Sequence, residues 1–284
     1  MLNIRQPAVA DRFYPGDPQA LTRMLDHLLA AAHPPAVPAP KALIVPHAGY
    51  VYSGPVAATA YATLAQVKDR IERVVLLGPS HRVPFHGLAA PSAAAFATPL
   101  GLVPIDRAAI EPLLKLPQVQ ILDAAHAWEH SLEVQLPFLQ RVLADFKLVP
   151  LVAGESEPEA VAEVLDRLWG GPQTLILVSS DLTHYLDYHT AQRIDAATSQ
   201  AIEFLRPEGI GEDQACGRVP LRGLLTLARR RGLKAQTLDL RNSGDTAGGR
   251  DQVVGYGAYA LFPGPSAPGR GEGAKTERGL PHGL

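Results

Sequence analysis

The chain has 284 residues, of which 46% are apolar and 19% are charged, and this composition is ample for a sizeable buried core. The formal net charge of −2 and the scattered basic residues argue against a nucleic-acid partner. No apolar run approaches the length of a membrane span, of about 18 residues, and the N-terminus lacks the regions of a signal peptide, so we expect a cytoplasmic protein without a membrane partner.

Helical and strand patterns alternate along the first half of the chain. Residues 19–33 carry leucines at helical spacing and lead through a proline-rich linker into an apolar run at 42–45. A helix is predicted over 55–66, because Pro55 is well tolerated at a first helical position. Apolar runs at 74–77 and 175–178 resemble the one at 42–45, and such continuous runs are typical of strands buried on both faces.

The second half continues the alternation. Residues 132–143 are predicted to be helical with a kink or an early end at Pro137, and a strand over 146–152 follows. Helices are predicted over 157–169, 190–205 and 220–231, and a terminal strand over 250–262. We therefore predict an α/β fold: one layered domain over residues 1–262 whose largely parallel or mixed central sheet is flanked by helices. Proline, glycine and charge predict a disordered tail at 263–284.

Polar side chains follow three of the apolar runs. His47, His81 and His184 come shortly after the runs at 42–45, 74–77 and 175–178. Ligands bind beyond the carboxyl ends of strands in open α/β sheets, so three histidines delivered there would converge on one site. A fourth polar fragment, at 215–218, adds the single cysteine, Cys216, which is either a small buried apolar residue or a functional thiol. Together these groups are typical of a transition-metal site, although each histidine taken alone also fits a turn.

Longer motifs resemble the Memo family, whose bacterial members are called AmmeMemoRadiSam system protein B. The matching motifs are AVADRFYP at 8–15, PHAGYVYSG at 46–54, GPSH at 78–81, ATPLG at 97–101, EHSLE at 129–133, SSDLTHY at 179–185, CGR at 216–218, NSGD at 242–245 and VGY at 254–256. They cover residues 5 to about 262. The family is similar in fold to the class III extradiol ring-cleavage dioxygenases, which implies a metal pocket at the matching position.

The resemblance implies that His47, His81 and Cys216 hold the metal. Cys216 stands where the related dioxygenases carry a glutamate, and a thiolate is softer than a carboxylate. The change improves affinity for copper(I) or zinc, alters the potential of iron, and puts ring cleavage of the dioxygenase type in doubt. We expect iron(II), with copper or zinc as alternatives.

Further residues are predicted to act beside the metal, and we expect His184, Asp181 and His130 to be the catalytic groups. His184 resembles the acid or base that stands beside the metal in class III dioxygenases. Asp181 is predicted to be a fourth ligand, a partner that fixes an imidazole tautomer, or an N-cap. Glu129 and His130 resemble the acidic-histidine stretch that lines the pocket; the alternative is that they only precede Ser131 as the N-cap of the next helix. Other residues predicted to line the pocket or to contact a ligand are Tyr50, Tyr52, Tyr185, Arg218 and Asp245.

Three functions remain open from the sequence, with a metal hydrolase as a weaker fourth. The first is a metal-dependent oxidoreductase that uses dioxygen. The second is a binding or adaptor protein whose pocket recognises a peptide or a small molecule. The third is a component of a modification system with an AMMECR1-like protein and a radical SAM enzyme; with one cysteine, this chain cannot itself be the radical SAM partner.

Overall fold

The computed structural model describes residues 3–264, so nearly all of the tail predicted at 263–284 lies outside the described residues. The strands are β1 Ile4–Arg5, β2 Ala42–Val45, β3 Arg73–Pro79, β4 Leu88–Ala90, β5 Ala95–Thr98, β6 Gly101–Pro104, β7 Val119–Ile121, β8 Lys147–Ala153, β9 Thr174–Ser179, β10 His184–Leu186, β11 Leu233–Asn242 and β12 Val253–Pro263. The helices are α1 Pro18–Ala30, α2 Tyr50–Ala62, α3 Arg107–Ile110, α4 Asp123–Ala127, α5 Leu136–Val142, α6 Pro158–Arg167, α7 Tyr188–Glu203, α8 Arg218–Arg230 and α9 Ser243–Thr246.

A nine-stranded mixed sheet forms the centre of the molecule. Its strand order is β10-β12-β2-β9-β3-β8-β4-β7, and β11 pairs with β12 outside this path. The four central strands β2, β9, β3 and β8 are parallel, whereas β12 and β4 join them antiparallel on either side. The parallel centre places the carboxyl ends of β2, β9 and β3 at one edge, next to one another. The prediction of an α/β fold with a mixed central sheet flanked by helices is confirmed.

Two groups of helices cover the sheet. Helices α1, α2 and α5 pack together, with α2 against β2 and β12, while α6 and α8 pair and α8 lies against β3 and β9. Every residue of β2 and β9 is buried, as expected for strands covered on both faces. Gly223 lets α6 and α8 approach closely, because a Cβ atom at this position would overlap the side chain of Val161. None of the helices within residues 3–264 is both long and apolar enough to cross a bilayer.

Several elements differ from the sequence-based expectations. Helix α2 begins at Tyr50, five residues before the predicted start, and holds Pro55 in its interior. Pro137 lies at the start of α5 and neither kinks nor ends it, because a short 3-10 turn over 133–135 precedes it and a proline near a helix start lacks only a donor that would be unpaired there. Strand β11 and a small sheet of order β1-β5-β6 were not predicted. These strands are short or only partly buried, so their sequences lack a periodic apolar pattern.

Candidate metal centre

The loops at the carboxyl edge of the parallel strands bring two histidines and the cysteine together. His47 follows β2, His81 follows β3, and Cys216 lies just before α8. The candidate ligand atoms of these three residues all lie within 4.8 Å of one another. Nε2 of His47 is 3.3 Å from Sγ of Cys216. The convergence follows from the parallel neighbourhood of the strands, since adjacent strand ends deliver their first loop residues to one point.

Hydrogen bonds select the tautomer of His47. Its Nδ1 lies 2.8 Å from Oγ of Ser179, and that hydroxyl donates its proton to the carbonyl of Ser131 at 2.6 Å. The hydroxyl therefore accepts from Nδ1–H, and it also accepts from Nε2 of Gln135 at 2.8 Å. Nε2 of His47 is left as the nitrogen with the free lone pair, on the side of Cys216. A ring held in this way is ready to ligate a metal through Nε2.

A carboxylate performs the same task for His81. Nδ1 of His81 donates to Oε1 of Glu129 at 2.8 Å, and the His81 backbone N–H donates to Oε2 at 2.7 Å. The backbone N–H groups of His130 and Ser131 also donate to Oε1, at 2.9 and 2.8 Å. Burial by itself would raise the pKa of Glu129, but the bonds and charge of His81 and the Ser131 N–H lower it to about 2. Glu129 therefore stays ionised and leaves Nε2 of His81 free, as in carboxylate–histidine–metal triads.

The electrostatics of the centre favour a neutral His47 imidazole and a protonated thiol when no ion is bound. Burial, with the charges of His81 and His130, holds the pKa of His47 well below its usual range. Burial and the charge of Asp181 raise the pKa of the Cys216 thiol. A bound divalent ion reverses that preference and makes the thiol a thiolate, so metal binding at this site releases a proton.

His130 lies against both metal-site histidines. Its ring stacks on His81 with centroids 4.6 Å apart, and its plane is nearly perpendicular to that of His47 at 5.4 Å. Burial lowers the pKa of His130 to about 4, so the ring is neutral near pH 7. His130 also forms a second group of potential ligands with His81 and Glu129. The capping alternative is wrong, because the Ser131 hydroxyl donates to the Pro79 carbonyl and no side chain among the described residues caps the 3-10 turn over 133–135.

Asp181 and His184 lie on the loop that follows β9. The carboxylate of Asp181 accepts from the backbone N–H of His47 at 2.7 Å, so it ties this loop to the His47 loop and does not cap its own turn. Burial raises the pKa of Asp181 to about 7. Nδ1 of His184 donates to the Leu182 carbonyl at 2.8 Å, which leaves its Nε2 as the free nitrogen. Burial lowers the pKa of His184.

A surface cavity of about 470 Å³ gives access to the centre. Its walls include His81, Cys216 and Arg218. The guanidinium of Arg218 donates to both carboxylate oxygens of Glu155, at 3.0 and 3.2 Å. Cys216 is partly exposed, so a small ligand in this cavity can reach the thiol side of the centre.

The predicted pocket tyrosines occupy different places. Tyr50 is buried in the core and donates its hydroxyl to the Val134 carbonyl at 2.6 Å, which corrects the prediction that it lines the pocket. Tyr50 is the first residue of α2 and not part of the loop before it. Tyr185 is 69% exposed and meets His184 edge-on at 5.9 Å, and Tyr52 is 42% exposed. Sequence reasoning missed Tyr256, whose pKa is raised by burial and by the nearby charges of Asp181, Tyr52 and Tyr185.

Asp245 serves its own turn. Its carboxylate accepts from the backbone N–H of Asn242 at 3.1 Å in a capping box at the start of α9, and it also accepts from the Tyr188 hydroxyl. These contacts hold Asp245 in its turn and do not link it to the histidines. Ser179 and Gln135, which orient His47, were not singled out from the sequence. The signal for Ser179 was its place as the last residue of a buried strand.

The chain is similar to known proteins over almost its whole length. The profile of the Memo-like protein family matches residues 5–260. MEMO1 family proteins from Aquifex aeolicus and Ignicoccus hospitalis are 39% and 38% identical, over 90% and 92% of this chain and 98% and 99% of their own length. One from Sulfolobus acidocaldarius is 35% identical, over 89% of this chain and 97% of its own. A solved structure, of uncharacterized protein JW3007 from Escherichia coli, aligns with a TM-score of 0.46 and 15% identity over 76% of this chain and 98% of that one. With the family profile matching almost every described residue, the chain belongs to the Memo family.

Proposed function

We propose that this protein is a metal-dependent oxidoreductase that uses dioxygen, with His47, His81 and Cys216 holding one iron(II) or copper ion. The observation that carries the proposal is the pair of fixed tautomers. Both Nδ1–H groups are tied to protein acceptors, which directs the Nε2 lone pairs of both rings towards the Cys216 thiol. A purely structural cluster of histidines has no need to direct two ring lone pairs at one thiol.

The donor set fits a transition metal. Two neutral imidazoles and one thiolate suit iron, copper and zinc, and three protein ligands leave positions open for substrate or dioxygen. The adjoining cavity reaches His81 and Cys216, so those positions are accessible from solvent. When bound, a redox-active ion supplies electron exchange with dioxygen, which protein side chains do not provide. Zinc in the same place would favour the hydrolase alternative.

His184 and Asp181 are the proposed proton carriers. His184 lies close enough to the metal-site histidines that its charge lowers the pKa of His47 and the charge of His81 lowers the pKa of His184. Its lowered pKa keeps the ring neutral near pH 7, so its free Nε2 can accept a proton from a substrate. Asp181, with a pKa of about 7, can hold a proton or release one at neutral pH. The two groups thus offer a base and an acid near His47.

The ligand proposed for the cavity is a small molecule, with a peptide as the alternative. Association with an AMMECR1-like protein and a radical SAM enzyme stays a prediction from the family resemblance. The binding or adaptor function differs from the proposed one in a single requirement, because recognition alone needs no redox-active ion. Metal content therefore separates the two.

The test is the metal content of protein purified without oxygen, measured by elemental mass spectrometry, with oxygen uptake followed after catechols are added. We expect one iron or copper ion per chain, lost in His47→Ala and Cys216→Ser and kept in His27→Ala, an exposed histidine on α1. His184→Ala should keep the ion and lose oxygen uptake. Full metal occupancy in both ligand variants would refute the site, and no metal after anaerobic reconstitution would favour a binding protein.

A further inference from the structure

A second cavity adjoins the one beside the metal ligands. It has a volume of about 640 Å³, and its walls include His86, Glu155 and Arg218, which also line the first cavity. It extends away from Cys216 towards the start of α6 and Arg222. The shared walls make the two cavities one continuous depression that begins at the metal ligands and ends among basic side chains.

Three arginines line this depression. Arg218 and Arg222 are four residues apart on α8, so they lie on the same face of the helix. Arg82 follows His81 directly and lines the first cavity. Within residues 3–264 the side chains of Arg82 and Arg222 make no hydrogen bond or ion pair, and the buried Nε of Arg222 lacks any partner. A buried, unpaired N–H is costly, and the other guanidinium donors of Arg222, which lines the cavity, also lack a protein acceptor among the described residues and can bind one that enters it.

Two acidic side chains share the depression and limit its positive charge. Glu155 is paired with Arg218, but its side chain is 64% exposed, and an exposed ion pair is worth little. Glu157 precedes α6 and makes no capping bond through its side chain. An incoming anion therefore competes with Glu155 for Arg218, while Arg82 and Arg222 remain available to it.

The position of Arg218 is unfavourable for the helix that carries it. Arg218 is the first residue of α8, no acidic residue lies in the first turn, and Gly217 provides no side-chain cap. A cation at a helix N-terminus opposes the helix dipole, which favours negative charge there. Helix stability thus gives no reason for an arginine at this position, whereas a bound anion would complement both the arginine and the helix end.

We propose that the arginine-lined end of this depression binds the oxyanion, a carboxylate or a phosphate, of an organic substrate whose other end reaches the metal ligands. Guanidinium groups recognise such groups through paired N–H donors. Val83, Phe85 and Val219 line the stretch between and suit an apolar body. The anion site itself stands on the arginines, and only the placement of the substrate's other end rests on the proposed function.

The experiment compares catechol with 3,4-dihydroxybenzoate, which differs by one carboxylate, by calorimetry on metal-loaded protein without oxygen. We expect wild-type protein to bind the carboxylate probe about tenfold more tightly, the effect of one charged hydrogen-bonded contact. Arg222→Gln should lose most of this preference without changing the affinity for catechol, and Arg218→Gln, at the other arginine of the second cavity, should lose it as well. Glu155→Gln should increase it, because Arg218 loses its competitor. Arg229→Gln, an exposed arginine at the far end of α8, is the matched control and should leave it unchanged.

A second arm uses metal-free protein with benzoate and with inorganic phosphate, which distinguishes a carboxylate site from a phosphate site. If wild-type protein binds either anion and Arg222→Gln binds it more weakly, the anion site is supported even where metal loading fails. Failure of the proposed function shows separately, in the metal content. Equal affinity of wild-type and Arg222→Gln protein for both anions and for 3,4-dihydroxybenzoate would overturn the proposal. The Arg218 variant, at the partly exposed first residue of α8, answers the question if Arg222→Gln does not fold.

Discussion

Replacement of Glu129 by glutamine should weaken metal binding without removing any ligand. Oε1 of Glu129 accepts from Nδ1 of His81 and from the backbone N–H groups of His130 and Ser131, and Oε2 accepts the backbone N–H of His81. Glutamine can keep its one oxygen at the position with three donors. Its NH2 group then faces the His81 backbone N–H, so two donors meet and the His81 ring loses the charge that orients it.

The magnitude follows from these contacts. Loss of an outer carboxylate partner lowers metal affinity by about 10- to 100-fold, which corresponds to roughly 1.4–2.8 kcal/mol. The unpaired backbone N–H of His81, which is 2.7 Å from Oε2 in the wild type, adds a folding cost of about 1–3 kcal/mol. Glu129→Gln should therefore fold, melt earlier than wild type and still bind metal, only more weakly.

Competition with a coloured zinc chelator measures the metal affinity directly. Zinc is redox-inert, so the metal itself does not oxidise Cys216 during the titration. Glu163→Gln is the matched control, because Glu163 is an exposed glutamate on α6 and the same charge is removed. It should bind zinc as the wild type does. A zinc affinity of Glu129→Gln within twofold of wild type would refute the argument that this carboxylate orients His81 for ligation.

Two further predictions concern stability. Burial raises the pKa of Asp195 from 3.8 to about 6. Between these pH values the folded state therefore binds more protons than the unfolded state, and the free energy of unfolding of the wild type falls by about 3 kcal/mol as the pH rises from 3.8 to about 6. Asp195→Asn should melt at a higher temperature than the wild type, and the difference between the two melting temperatures should grow from pH 4 to pH 7. A difference that does not change with pH would contradict this. Glu133 is fully buried and forms an ion pair with Arg5, so Glu133→Gln leaves a buried guanidinium without its counter-ion and should cost about 3–5 kcal/mol in urea unfolding. Asp26→Asn, which removes an exposed ion pair with Arg141, should cost less than about 1 kcal/mol, and equal costs for the two variants would show that burial does not decide the effect.

The sequence by itself determined the centre of the fold and the candidate ligands. Continuous apolar runs identified β2, β3 and β9, because only strands covered on both faces can be apolar at every position. Parallel pairing of those strands then required their carboxyl ends to meet, which explains why His47 and His81 could be placed together from spacing. Cys216, in contrast, entered the predicted ligand set through the family resemblance, since it follows no such strand.

Tertiary structure alone decided which groups support the ligands and which side chains face elsewhere. Glu129 and Ser179 reach the histidine rings from parts of the chain 48 and 132 residues away in sequence, so no local pattern reports the contact. The position of Pro55 predicted a later start for α2, whereas α2 begins at Tyr50 and the side chain of Tyr50 is buried. Arg222 was identified only from the structure, in which its Nε has no hydrogen-bond partner. Hydrogen bonds between distant segments and the cost of burying polar atoms arise when the layers pack, and they leave no period in the sequence.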